Sequence, residues 1–206
     1  MIGEIDEALR KLVKESDGIA ADIDVALDAP TKDWAARRNA PTVDLFLYDI
    51  REDVRRREYG WSEQRDERGI VTARVPAPRF YKLSYLVTAW TQRPDDEHRL
   101  LDALLRCFLK YDAIPDAFLV ETLAETGLRC SLSLAMPPPE DRAFADVWSS
   151  LGGELKPSLD VVVTAPLSRA VSYPVGPPVT AGVGAQFDAL GFGSQDAAFR
   201  AAPSGD

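Results

Sequence analysis

A chain of 206 residues with 46% apolar and 28% charged content has the make-up of a folded globular protein, which excludes an intrinsically disordered or fibrous one. Its formal net charge of -9 excludes non-specific binding to nucleic acid, because that needs a surplus of Lys and Arg to displace phosphate counterions. The two cysteines, Cys107 and Cys130, are far apart in apolar contexts and read as buried free thiols of a reducing cytosol rather than as a disulfide.

The first element is an amphipathic helix over residues 2–16. Ile2, Ile5, Leu9, Leu12 and Val13 follow helical spacing, and Ser16, Asp17 and Gly18 stop it. Glu4, Asp6, Glu7 and Lys11 interrupt the apolar residues, so the segment lacks the core of a signal peptide, and no stretch of the chain reads as a membrane span. Ile23, Val25 and Leu27 alternate with Asp24, Ala26 and Asp28 up to Pro30, the period of a half-buried strand, and a polar loop carrying Trp34, Arg37 and Arg38 follows. Residues 42–50 are apolar on both alternating faces, as expected of a central strand covered on both sides.

Arg51 to Arg68 holds six Arg and six Asp or Glu, a neutral, densely charged segment in an acidic protein. A long strand over 81–90 comes next, and Pro76 and Pro78 keep the stretch before it out of a sheet centre. Pro94 with Asp95, Asp96 and Glu97 opens a helix, since proline fits the first turn and carboxylates favour its positive end. Leu100, Leu101, Leu104, Leu105, Phe108 and Leu109 form its apolar stripe. A strand at 128–134, a helix at 140–151 and a strand at 157–165 complete an α-β-β-β-α-β-α-β order. This is an α/β (α+β) fold with a mixed β-sheet flanked by helices.

From about Pro166 the composition turns to Pro, Gly, Ala and Ser without hydrophobic periodicity. The chain therefore divides into a domain of residues 1–167 and a C-terminal arm of residues 168–206. The arm cannot build a core, yet it carries Tyr173, Phe187, Leu190, Phe192 and Phe199, apolar anchors that a plain linker does not need.

Catalytic signatures are missing. There is no GxGxxG, GxxxxGK[ST], GxSxG or CxxC, and Gly182 and Gly184 follow no strand. The sole histidine, His98, sits beside Asp95, Asp96 and Glu97, but helix-dipole complementarity already explains those carboxylates, and a metal site would want ligands from other segments. Cys107 lies on the apolar helical stripe and reads as core. No metal, cofactor or catalytic residue is expected. The competing reading is a small-molecule binding module or hydrolase using Asp49, Glu52, Asp96 and His98 in a cleft at the sheet edge.

Five stretches carry a resemblance: DVALDAP from Asp24, PTVDLFLYDIRED from Pro41, LSYLVTAW from Leu83, DEHRLLDALLRCF from Asp96 and KPSLDVVVTAPL from Lys156. Together they resemble the cap, or tube-terminating, proteins of phage-tail-like contractile injection systems, similar to those of the Photorhabdus virulence cassette and the antifeeding prophage. The resemblance runs from Ile2 to Leu167 and implies kinship with phage tail-terminator proteins. It implies a homohexameric ring that seats on the last layers of inner tube protein and sheath protein and halts their growth. It also implies a structural, non-enzymatic role in a cytoplasmic particle. The acidic charge argues against a nucleic-acid partner, and no basic amphipathic helix or lipidation motif supports a membrane one. The Gly/Pro-rich end matches no motif of the family.

A terminator works through surfaces. The mixed-charge segment is a candidate inter-subunit contact: Arg51, Arg55, Arg56, Arg57, Arg65 and Arg68 would pair with carboxylates of a neighbour, with Tyr59 and Trp61 as desolvated anchors. A solvated loop, its ion pairs worth about 0 to 1 kcal/mol each, is the alternative. Tyr173, Phe187, Phe192 and Phe199 would lie along sheath or a neighbouring cap subunit, the alternative being an arm without structure.

Overall fold

The structure is a computed structural model that describes residues 1–137, 144–169 and 171–176. In chain order it contains α1 (Ile2–Lys14), β1 (Asp24–Ala26), α2 (Lys32–Ala36), β2 (Thr42–Glu52), β3 (Trp61–Arg65), β4 (Val71–Pro76) and β5 (Arg79–Trp90). After these come α3 (Pro94–Leu109), α4 (Glu121–Thr126), β6 (Ser131–Leu134), α5 (Phe144–Ser150), β7 (Leu159–Leu167) and β8 (Tyr173–Pro174), with single 3-10 turns at Val54–Arg56 and Asp116–Phe118. The residues group into two compact units, Met1–Gly60 with Ala77–Ala170, and Trp61–Pro76 with the segment starting at Val171.

The first unit is built on a five-stranded sheet in the order β1-β2-β5-β7-β6, in which β1 runs parallel to β2 and every other pair is antiparallel. This is the mixed sheet with flanking helices that the element order predicts. One face carries Val43, Leu45, Leu83, Tyr85, Val87 and Val163, all inaccessible to solvent. Ile5, Leu9 and Leu12 of α1 and Leu104 and Phe108 of α3 pack into the same core. Each such side chain contributes about 1.5 to 3 kcal/mol by leaving water. The buried Tyr85 hydroxyl donates to Asp6 Oδ1 at 2.7 Å, which satisfies the phenol and pins α1 across β5. Both cysteines are buried and free, and burial pushes the Cys130 thiol up to about 11.

Residues 32–36, expected as loop, form α2. Thr31 caps it by accepting the Trp34 amide at 3.3 Å, and five residues are too few to show a hydrophobic period. α4 is also new. Its cap is long-range: Glu4 of α1 accepts the Leu123 amide at 2.9 Å and the Thr122 hydroxyl at 2.6 Å, so nothing local announces it. β6 starts at Ser131 rather than at residue 128, because Gly127 turns the chain in the left-handed region at φ 60° and the Thr126 hydroxyl accepts the Leu128 amide. α5 begins at Phe144 among the described residues, and the expected start at Glu140 lies outside them. β7 runs on through Pro166; β6 begins at Ser131 opposite Thr164 and does not reach Pro166, so the proline falls where the strand has a single neighbour.

The second unit is a three-stranded antiparallel sheet in the order β3-β4-β8. Here the reading of Pro76 is corrected, since β4 occupies the middle of this sheet. Pro76 is its last residue, and β8 reaches only Ala73 and Arg74, so no second ladder asks Pro76 for an amide. The β3–β4 turn is well made. Asp66 Oδ1 accepts the amides of Arg68 and Ile70, both at 2.9 Å, and Gly69 takes φ 78°. Among the described residues, no helix is long and apolar enough to cross a membrane.

Candidate assembly surfaces

The end of β2 gathers charge within the first unit. Arg57 donates from Nε to Glu52 Oε1 at 2.9 Å and from Nη2 to Oε2, and Arg79 Nη1 donates to Oε1 at 2.8 Å. Arg57, and then Arg79, hold the Glu52 carboxyl below the ordinary carboxylate range. The neighbouring Asp53 pairs with Lys82 at 3.6 Å, and the Arg56 guanidinium lies 3.5 Å from the centre of the Phe80 ring. Arg51 pairs with Asp49 at 3.0 Å. Of the arginines expected to reach a neighbour from this part of the chain, Arg55 and Arg56 make no ion pair among the described residues. The Arg57–Glu52 and Arg51–Asp49 pairs are local, and closing a contact over five residues costs little chain entropy, whereas Arg79, Lys82 and Phe80 reach this cluster from β5. Tyr59 is 83% exposed.

In the second unit the predicted Trp61 and Tyr173 come together. Their rings meet edge to face, centroids 5.1 Å apart and planes 81° apart, while 55% and 51% of the two residues stay exposed. Arg65 pairs with Glu63 and also donates to the Gly69 carbonyl at 2.9 Å. The Arg68 side chain makes no ion pair among the described residues. All five residues of β3 are exposed. The other expected anchors, Phe187, Phe192 and Phe199, lie outside the described residues.

The residues of the competing enzymatic reading do not converge. Thr42 at the start of β2 pairs with Trp90, the last residue before the α3 connection, whereas Asp49 and Glu52 lie toward the other end of β2. Seven residues of strand put Asp49 about 23 Å from Thr42, while Asp96 and His98 sit in the first turns of α3. Glu52 is already held by two arginines, and His98 is exposed. Among the described residues no group of three or more His, Cys, Asp or Glu side chains is placed to hold a metal ion.

Asp44 is the polar residue that the expectations passed over. It is fully buried in β2, and neither carboxylate oxygen has a hydrogen-bond partner. Burial pushes its pKa up to about 8; Asp28 adds to the rise and Arg38 acts against it. The amides of Asp28 and Leu45 favour the charged form without making well-formed hydrogen bonds. A carboxylate at the apolar start of a strand covered on both faces is a visible anomaly, and the stretch TVDLFL displays it. Nearby, Trp34 meets Trp90 edge to face at 5.4 Å, and the Arg38 guanidinium lies 4.4 Å from the Trp34 ring centre. Arg79, Lys82 and this tryptophan cluster were also outside the expected set.

Comparison with known proteins identifies the family and the fold. The family described as the Pvc16 N-terminal domain matches residues 4–181. Two solved structures share the fold. The sheath/tube terminator of the extracellular contractile injection system PVC, in its extended state, superposes with a TM-score of 0.70 at 21% identity over 94% of this chain. The tube-terminating cap of the anti-feeding prophage superposes with a TM-score of 0.62 at 20% identity over 87% of it. This chain spans 65% and 59% of those two chains. A search of curated proteins finds no match.

Proposed function

Because the chain belongs to the Pvc16 N-terminal domain family, we propose that it is the cap of a contractile injection system, ending the growth of inner tube and sheath at one end of the particle. The observation that carries this reading is the likeness, along 94% of the chain, to a protein solved as a sheath/tube terminator. Surface chemistry supports it. The described residues offer exposed aromatics and a fully exposed strand, the kind of surface an assembly contact uses. The role is structural and non-enzymatic, exercised as a homohexameric ring on inner tube and sheath, without a cofactor and without nucleic-acid or membrane partners. Assembly takes place in the cytoplasm of the producing cell.

In this reading residues 1–167 form the cap domain and residues 168–206 an interaction arm. Two patches serve as contacts, each within its own unit. In the first, Arg51, Arg55, Arg56, Arg57 and Tyr59 present a charged surface stiffened by Glu52. In the second, Trp61, Arg65, Arg68 and Tyr173 present an aromatic pair beside an exposed strand, with Phe187, Phe192 and Phe199 farther along the arm. The test is to mix purified, gold-labelled protein with purified particles that lack it. Label at one end of tube and sheath supports the cap, whereas label along the sides or none at all overturns it.

A further inference from the structure

A cleft of about 630 Å³ opens in the first unit, at the end of the sheet where β2 begins and β5 finishes. Its walls come from the α1–β1, α2–β2 and β5–α3 connections. Ile19, Ile23, Pro41, Trp90 and Leu100 line it with apolar surface, and Arg38, Arg93 and Arg99 line it against Asp96, with Asp24 paired to Arg38. On a chain of net charge -9 this is a local reversal of sign.

The lining cations have donors to spare. Arg93 makes no ion pair among the described residues. Arg99 reaches Asp96 only at 3.5 Å, with both side chains largely exposed, a type of pair that contributes little. Arg38 gives one nitrogen to Asp24 at 3.2 Å, while its buried Nε has no partner. A planar guanidinium with free donors suits a carboxylate, which it can bind through two parallel bonds.

We propose that this cleft docks an extended segment of a partner protein in which aliphatic side chains alternate with Asp or Glu. The aliphatic groups would cover Trp90 and Ile23 and the carboxylates would meet the arginines. Both kinds of lining are then used. A free phosphate would leave the apolar lining in water, and three arginines fall short of the charge that a nucleic-acid track requires. The inference concerns a surface outside the two contact patches and does not rest on the capping role.

The test titrates the full chain with an acetylated peptide of alternating aspartate and leucine and with its lysine–leucine counterpart, following tryptophan emission. The acidic peptide should bind saturably and the basic one should not. The Arg93→Glu, Arg99→Glu double variant should weaken binding by about tenfold or more, with an unchanged thermal midpoint because Arg93 and Arg99 are exposed. Absence of saturable binding, equal binding of both peptides, or undiminished binding by the double variant would overturn the proposal. Octanoate competing as well as the peptide would overturn the choice of a protein segment as occupant.

Discussion

Trp61, at the start of one hairpin strand, and Tyr173, in the two-residue strand added after the main sheet is complete, stack edge to face 5.1 Å apart while half of each remains in water. An aromatic pair of this geometry is worth about 0.5 to 1.5 kcal/mol beyond the area it buries. Tyr173→Ala should therefore red-shift the Trp61 contribution to the emission spectrum and leave the main thermal transition in place. An unchanged spectrum would mean that the pair does not form in solution.

Removal of residues 177–206 and removal of residues 170–206 should differ. The shorter deletion keeps β8 and the aromatic pair; the longer one strips both from the small sheet. Both variants should keep the thermal midpoint of the first unit and lose attachment to particles, the longer deletion more. A midpoint that falls by more than about 5 °C in either variant would show that the arm helps to hold the fold together.

Tyr85→Phe isolates one hydrogen bond, because the phenol donates to the Asp6 carboxylate from an otherwise buried ring. Hydrogen bonds to charged groups contribute about 1.5 to 3 kcal/mol. Urea unfolding should show a loss of that size with an unchanged slope, and a loss below about 0.5 kcal/mol would contradict the anchoring of α1 through this contact.

Asp44 supplies a pH dependence of definite sign. Its pKa is about 8 in the folded chain against an ordinary 3.8, so between those values the folded state holds a proton that the unfolded state has released. Stability from this residue is full at low pH and falls as pH rises toward 8, then stays level above it. Asp44→Asn removes that slope and should gain on the wild type as pH climbs. Unfolding curves between pH 5 and 8 that keep the same slope in the variant would contradict the assignment.

What the sequence showed and what it hid follow from the range of the interactions. α1, α3, β2, β5 and β7 announce themselves through hydrophobic period, since each buries a continuous face. α2 and α4 are too short for a period, and the cap of α4 is Glu4 from the far end of the chain. Pro76 argues against a central strand, yet β4 is one, because β8 pairs only with Ala73 and Arg74 and stops short of the proline. The charged segment was legible as composition, but the partners of its arginines were not: Arg79 pairs with Glu52, and Phe80 receives Arg56, from the next strand. Asp44 could have been found, since a carboxylate set among the apolar residues Val43, Leu45, Phe46 and Leu47 of a two-sided strand demands an explanation.

The most direct test of the capping role is electron microscopy of injection particles from cells with and without this protein, scoring tube and sheath lengths. The account predicts uniform lengths with the protein and, without it, particles that are absent, unsheathed or variable in length. Particles of unchanged and uniform length in its absence would contradict it.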